Sequence, residues 1–249
     1  VSAEVVAVIS MPRFLRPARR GRRLPVDFDA ATAAVCTAVA PFTMTSPERV
    51  AALVEAVRYV VRHRIPGDIV ECGVWRGGSM MAAAHALLEL GAERRLQLFD
   101  TFDGMSPPTA VDRDQSGVSA AALLAAADRA TSSVWARSPL DEVRRNLLAT
   151  GYPADRVRFV VGRVEDTLPD QAPESIALLR LDTDWYASTR HELVHLFPRL
   201  AVGGVLLIDD YGHWQGARQA VDEYLAQTGA RLLLQRIDVT GRLAIKLEA

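Results

Sequence analysis

The chain reads as an α/β protein on a mostly parallel, doubly wound sheet, and three observations lead there. Short apolar runs rich in Val, Ile and Leu alternate with segments whose apolar residues recur at helical spacing. Two of the runs end in acid: Leu178-Leu179-Arg180-Leu181-Asp182-Thr183-Asp184 and Gly203-Gly204-Val205-Leu206-Leu207-Ile208-Asp209-Asp210. An earlier run, Asp68-Ile69-Val70-Glu71-Cys72, passes into a turn, Gly73-Val74-Trp75-Arg76-Gly77-Gly78, placed where a first strand hands over to a helix in such folds.

The elements follow in order. Ser46 is an N-cap residue with Pro47 at the first helical position, and Val50, Leu53, Val54, Val57 and Val61 form the apolar stripe of a helix that ends near Pro66-Gly67. A strand over 68–74, a helix over 78–90 and a strand over 96–100 come next, then a long interruption from about 104 to 139. A helix over 140–150 leads to strands over 157–161 and 176–181, a helix over 188–200 and a strand over 205–208. A helix over 217–227 precedes two runs, 232–237 and 243–247, with Thr240-Gly241 as turn chemistry between them. Seven strands result, five in α/β alternation and two in a closing antiparallel hairpin, with helices on both faces.

Composition narrows the function. With 249 residues and 49% hydrophobic content the chain buries one substantial core, read as a domain over 46–249 behind an N-terminal extension over 1–45. Lys and Arg number 29 against 30 Asp and Glu, so no global field draws the protein to nucleic acid or to an anionic membrane. A small or neutral substrate fits better. Two cysteines, Cys36 and Cys72, are too few for a disulfide framework and suggest a reducing cytoplasm. No run reaches the roughly 20 apolar residues of a membrane span, so a soluble protein is expected. Arg13, Arg16, Arg19, Arg20, Arg22 and Arg23 form a basic segment that reads as a solvated, mobile arm, a subunit contact or a flap; nothing apolar there anchors it. A connection as long as 104–139 within one domain suggests a lid.

The motifs point to chemistry at one sheet edge. Ligands bind beyond the C-terminal ends of parallel strands, and Asp182, Asp184, Asp209 and Asp210 all fall there. Clustered carboxylates repel unless a positive charge lies among them, and hard oxygen donors favour a divalent cation such as Mg²⁺; capping of the helices that follow is the alternative use. The turn after the first strand lacks the G-x-G-x-x-G spacing of a dinucleotide site and the lysine of a phosphate-binding loop. A cofactor with an amino-acid tail matches better, Glu71 accepting from an ammonium and Ser79 with the helix N-terminus donating to a carboxylate. Asp100, ending the second strand, is placed to accept from ribose hydroxyls or to serve as a turn residue.

Five segments together carry a resemblance. Glu71-Cys72-Gly73-Val74-Trp75-Arg76-Gly77-Gly78-Ser79, Asp100-Thr101-Phe102-Asp103-Gly104-Met105, Val164-Glu165-Asp166-Thr167-Leu168-Pro169, the run from Leu179 to Thr189 and the run from Gly203 to Trp214 closely resemble the macrocin O-methyltransferase family. The resemblance implies a Rossmann-like class I methyltransferase fold and a metal-dependent O-methyltransferase that moves a methyl group from S-adenosylmethionine to a sugar hydroxyl of a glycosylated natural product, in antibiotic biosynthesis. It implies that Asp182, Asp209 and Asp210 hold Mg²⁺ and that Asp184 is the general base. Glu71, Gly73, Trp75, Ser79, Asp100, Thr101 and Asp182 would line the cofactor, with Gly162, Val164 and Glu165 near its adenine. It further implies a cytoplasmic homo-oligomer, a dimer or larger. Methylation of a catechol-type phenol is an alternative, as is a non-catalytic cofactor-binding scaffold; a dehydrogenase is disfavoured by the turn.

In this scheme Asp182 and Asp184 share one strand face if the strand runs that far. His213 is either an acid, base or substrate contact or a structural histidine, and Trp185, Tyr186 and Trp214 form either a substrate wall or core packing. Asp184→Asn is expected to keep cofactor binding and lose turnover, and Asp209→Asn to make activity insensitive to added Mg²⁺ as well. Turnover near the wild-type rate for Asp184→Asn removes the base assignment.

Overall fold

The computed structural model describes residues 24–248, so the arginines at 13–23 lie outside the described residues. Strands β1 (Asp68–Cys72), β2 (Leu96–Asp100), β3 (Val157–Val161), β4 (Ile176–Leu181), β5 (Leu200–Ile208), β6 (Gln235–Arg236) and β7 (Arg242–Ile245) form one sheet in the order β3-β2-β1-β4-β5-β7-β6. The first five run parallel, and β7 pairs antiparallel with both β5 and β6. The order reverses between β1 and β4, which opens a crevice beyond their C-terminal ends.

Strand alternation sorts the core into two layers. Ile69, Leu98, Leu178, Val205 and Leu207 pack beneath helices α1 (Ala30–Val39), α2 (Pro47–Arg62), α3 (Gly78–Glu89) and, beyond the short α4 (Ala120–Ala126), α5 (Leu140–Leu148). Val70, Cys72, Phe99, Leu179, Leu181, Leu206 and Ile208 pack on the other face against α6 (Val164–Thr167), α7 (Tyr186–Leu196) and α8 (Gln215–Thr228). Every residue of β4 is buried, as a central parallel strand requires.

Local chemistry explains the boundaries. The Ser46 hydroxyl accepts from the Arg49 N–H at 3.2 Å to cap α2, and Gly229, at φ 70°, ends α8 in the left-handed region. Helix α1 precedes residue 46 yet sets Val35, Cys36 and Val39 into the core. Its cap, Asp29, accepts from the Thr32 N–H at 2.8 Å and from the buried Arg58 guanidinium at 2.8 Å. All-apolar and small residues give α1 no polar contrast, so its periodicity is mute in the sequence. The expected strand over 232–237 shrinks to two residues, because at the sheet edge it has only β7 to pair with.

The 104–139 segment carries α4 and is fastened to the domain. Asp112 is fully buried; one carboxylate oxygen accepts from the Tyr186 N–H at 2.7 Å, the other from the Thr109 N–H at 2.6 Å. Asp114 forms an antiparallel bridge with Trp214. Among the described residues no helix is long and apolar enough to cross a membrane.

Leu178→Ala, in the fully buried central strand, is expected to cost about 2–5 kcal/mol by urea unfolding. Val202→Ala, on the exposed start of β5, is expected to stay within about 0.5 kcal/mol.

Candidate active site

A cavity enclosing about 1390 Å³ of empty space, part of it open to solvent, lies over the C-terminal ends of β1, β2, β4 and β5. Gly73, Trp75, Ser79, Asp100, Thr101, Gly162, Val164, Glu165, Asp182, Asp184, Asp209 and Asp210 all border it. Glu71 does not; its side chain is wholly buried behind the wall, one oxygen accepting from Arg180 at 2.7 Å. Burial pushes the Glu71 carboxyl up to about 7 against the opposing pull of that guanidinium.

The turn after β1 is shaped for close approach. Gly73 sits at φ 80°, and a Cβ there would lie 1.9 Å from the Asp182 carbonyl oxygen, so only glycine lets β1 and β4 end side by side. Trp75, at φ 47°, is held in the left-handed region by Asp100, whose Oδ2 accepts from the Val74 and Trp75 N–H groups at 2.6 and 3.1 Å. Oδ1 of Asp100 accepts from the Phe102 N–H at 2.7 Å. Asp100 thus stands where a ribose-binding acid is expected, and its oxygens organise the turn. Its carboxyl is raised by burial, against the pull of those same N–H groups. Thr101 donates to the Gly104 carbonyl at 2.7 Å.

The acids converge from two strand ends. Asp182 follows β4, Asp209 and Asp210 follow β5, and Asp184 lies beyond the strand at φ 71°. Because β4 stops at Leu181, strand alternation does not place Asp184 beside Asp182; a strained turn does. That turn is fixed at both ends of the residue: the Asp184 N–H donates to Asp210 Oδ2 at 3.2 Å and its Oδ1 accepts from the Trp214 indole N–H at 2.7 Å. Burial first, then the Asp182 charge, pushes Asp184 up to about 7. Burial and like charges raise Asp182 and Asp210 well above the usual carboxylate range.

Two arginines to which the sequence reading assigned no role enter this cluster. Arg180 Nη1 donates to Glu71 and to Asp182 Oδ2, each at 2.7 Å, and Nη2 reaches Asp209 Oδ1 at 2.7 Å and Thr45 Oγ1 at 2.9 Å. Arg49, from α2, pairs with Asp209 Oδ2 and with Asp238. Five carboxylates (Glu71, Asp182, Asp184, Asp209, Asp210) thus face two guanidiniums, one shared with Asp238. This surplus of oxygen-borne charge suits a hard divalent cation in donor type and sign. Among the described residues no three acidic, histidine or cysteine side chains are drawn together as a finished cage, and both oxygens of Asp209 are engaged by arginines.

The opposite wall is apolar. Met105, Leu123, Leu124 and Val134 of the 104–139 segment line the cavity and pack in one cluster with Trp185 and Trp214. The two indoles meet edge to face at 4.9 Å. Tyr186 points elsewhere, donating to Glu223 at 2.7 Å. His213 borders the cavity, packs on Trp214 at 4.6 Å and is held neutral by burial. Sequence reasoning missed the 42–45 wall, Arg49 and Arg180; for Arg180, a lone charge inside an otherwise apolar strand was the available signal.

Comparison with known proteins gives consistent matches. The family model described as macrocin-O-methyltransferase (TylF) matches residues 17–244. The chain is 37% identical over 204 residues, 80% of this chain and 73% of the relative, to 8-demethyl-8-(2,3-dimethoxy-alpha-L-rhamnosyl)-tetracenomycin-C 4'-O-methyltransferase of Streptomyces olivaceus. It is 34% identical over 200 residues, 80% of this chain and 76% of the relative, to mycinamicin III 3''-O-methyltransferase of Micromonospora griseorubida. The solved O-methyltransferase NovP superposes with a TM-score of 0.72 at 33% identity, covering 83% of both chains.

Gly73→Ala is expected to weaken S-adenosylhomocysteine binding about tenfold or more by calorimetry, since the added methyl meets backbone that cannot yield. Gly151→Ala, with a similar φ of 83° but nothing within 4 Å, is expected to leave binding unchanged.

Proposed function

The chain belongs to the macrocin O-methyltransferase family and is an S-adenosylmethionine-dependent O-methyltransferase, and we propose that it methylates a sugar hydroxyl of a glycosylated natural product with the aid of Mg²⁺. The observation that carries this reading is the cavity itself, with a glycine turn at one side, a surplus of aspartates at its floor and an apolar wall opposite. The tetracenomycin and mycinamicin relatives supply the substrate class by their names.

In the proposed mechanism each residue has a limited task. Gly73, Trp75 and Ser79 receive the methyl donor, with Asp100 holding their turn and Gly162, Val164 and Glu165 bordering the adenine. Asp182, Asp209 and Asp210 would hold the cation, Asp209 by exchanging an arginine contact for it. When bound, S-adenosylmethionine supplies a methyl carbon on a sulfonium leaving group, and Mg²⁺ supplies Lewis acidity toward the acceptor hydroxyl. Asp184, raised toward neutrality by burial, accepts the hydroxyl proton as the oxygen–carbon bond forms and the carbon–sulfur bond breaks. Trp185 and Trp214 offer an apolar face to a deoxysugar ring or aglycone and help keep water out. The 104–139 segment serves as the lid of this site. We further propose a cytoplasmic homo-oligomer; the buried free thiols of Cys36 and Cys72 support the compartment.

A panel of deoxysugar glycosides with free vicinal hydroxyls, incubated with S-adenosylmethionine, is expected to yield singly methylated products by mass spectrometry. EDTA is expected to lower turnover at least about tenfold, with Mg²⁺ restoring it for the wild type and not for Asp210→Asn. Comparable methylation of 3,4-dihydroxybenzoate in the same panel would replace the sugar by a catechol.

A further inference from the structure

Asp184 is held in a backbone conformation that non-glycine residues rarely adopt, so something must over-determine it. One restraint comes from Asp210, already assigned to the acidic floor. The other comes from the Trp214 indole N–H, a rigid donor with a single direction, 2.7 Å from Asp184 Oδ1.

Trp214 is itself set by the 104–139 segment. Its backbone bridges Asp114, and the next residue, Gln215, donates its N–H to the Arg113 carbonyl at 2.8 Å and its side-chain amide to the Asp114 carbonyl at 2.9 Å. The Trp214 ring packs on Trp185, whose indole N–H donates to the Ser106 carbonyl at 2.9 Å. Ala120 and Leu124 of α4 join the same cluster. Trp185 follows Asp184 directly, and the N–H after it, on Tyr186, is taken by Asp112. The segment therefore grips the chain on both sides of the acid.

We propose that the Trp185–Trp214 pair is a joint through which the 104–139 segment sets the direction of the Asp184 carboxylate, with Trp214 as the positioning residue. Its bearing on catalysis rests on Asp184 being the base. With the segment seated, the indole holds Oδ1, and the Asp184 carboxyl also contacts that of Asp210. With the segment displaced, the indole turns with its bridge and Asp184 loses one of its two restraints.

The structure offers a perturbation that touches neither partner. A Cβ at Gly216, on α8, would lie 2.0 Å from Asp112 Oδ1 and 3.2 Å from Tyr186 Cβ, so Gly216→Ala disturbs the Asp112–Tyr186 contact while leaving the side chains of Trp214 and Asp184 unchanged.

The test is indole ¹⁵N–¹H NMR of the full chain saturated with S-adenosylhomocysteine. Four tryptophans give four indole signals, and Trp214→Phe assigns the one that matters. Asp184→Asn is expected to move the Trp214 signal upfield, as a neutral acceptor replaces a charged one. Gly216→Ala and Trp185→Phe are each expected to shift or broaden the same signal, while that of Trp75 stays in place. A Trp214 signal unmoved by Asp184→Asn overturns the hydrogen bond. A signal moved by Asp184→Asn but unmoved by both segment variants overturns the joint. Turnover by Asp184→Asn at the wild-type rate strikes the base assignment alone, since the NMR readout does not depend on chemistry.

Discussion

The arrangement depends on one guanidinium. Arg180 is the penultimate residue of β4, 3% exposed, where neighbouring residues are leucine, and it holds carboxylates from β1 and from the ends of β4 and β5 at once. Three acids at adjacent strand ends, two buried and Asp182 half-buried, would otherwise repel and take up protons. A buried ion pair contributes little net stability over an apolar substitute, but breaking one from a single side costs about 3–5 kcal/mol. Arg180 is thus better understood as a device for specifying geometry. It pulls one oxygen of Asp182 and one of Asp209 back toward the sheet and ties Thr45, ahead of α2, to the same floor.

That constraint divides the cavity by stiffness. The floor is built from strand ends, which parallel pairing fixes in register, and from a glycine turn clamped by Asp100. The wall opposite is one long connection, with a seven-residue helix, a 3-10 turn (Ser133–Trp135) and two isolated bridges for regular structure. Under the proposed reading the rigid part carries what every methyl transfer needs, and the loop-built part carries what differs between acceptors. The two halves meet where the segment touches Trp185, Tyr186, Trp214 and Gln215, next to the acid proposed as the base.

What was legible in the sequence follows the same division. Strands β2, β3 and β4 show their apolar runs without ambiguity, and the acidic ends of β4 and β5 announce a site because nothing in a fold requires acid there. Helix α1 was missed, since a stretch of Ala, Val and Thr has no polar face to reveal its period. Glu71 was read as facing a ligand because its position at a strand end permits that; the partner that turns it inward, Arg180, sits 109 residues away and is met only through the β1–β4 register. The location of Asp184 was legible and its conformation was not, because strand alternation fails at the residue where the strand stops.

Electrostatics then explains why the acidic floor needs more than its arginines. Arg180 cannot move, being enclosed by the sheet, whereas Arg49 reaches Asp209 from the rim of α2 and has a second partner in Asp238. Asp182, Asp184 and Asp210 remain raised by burial even with both guanidiniums in place. Protonation relieves such a surplus, and so does a cation, but the two outcomes differ in consequence. Protons would silence the acids as ligands and as a base, while under the proposed reading a divalent cation would draw Asp182 and Asp210 into the charged state, and Asp210, no longer sharing a proton with Asp184, would leave that carboxyl, held by Trp214, to take one.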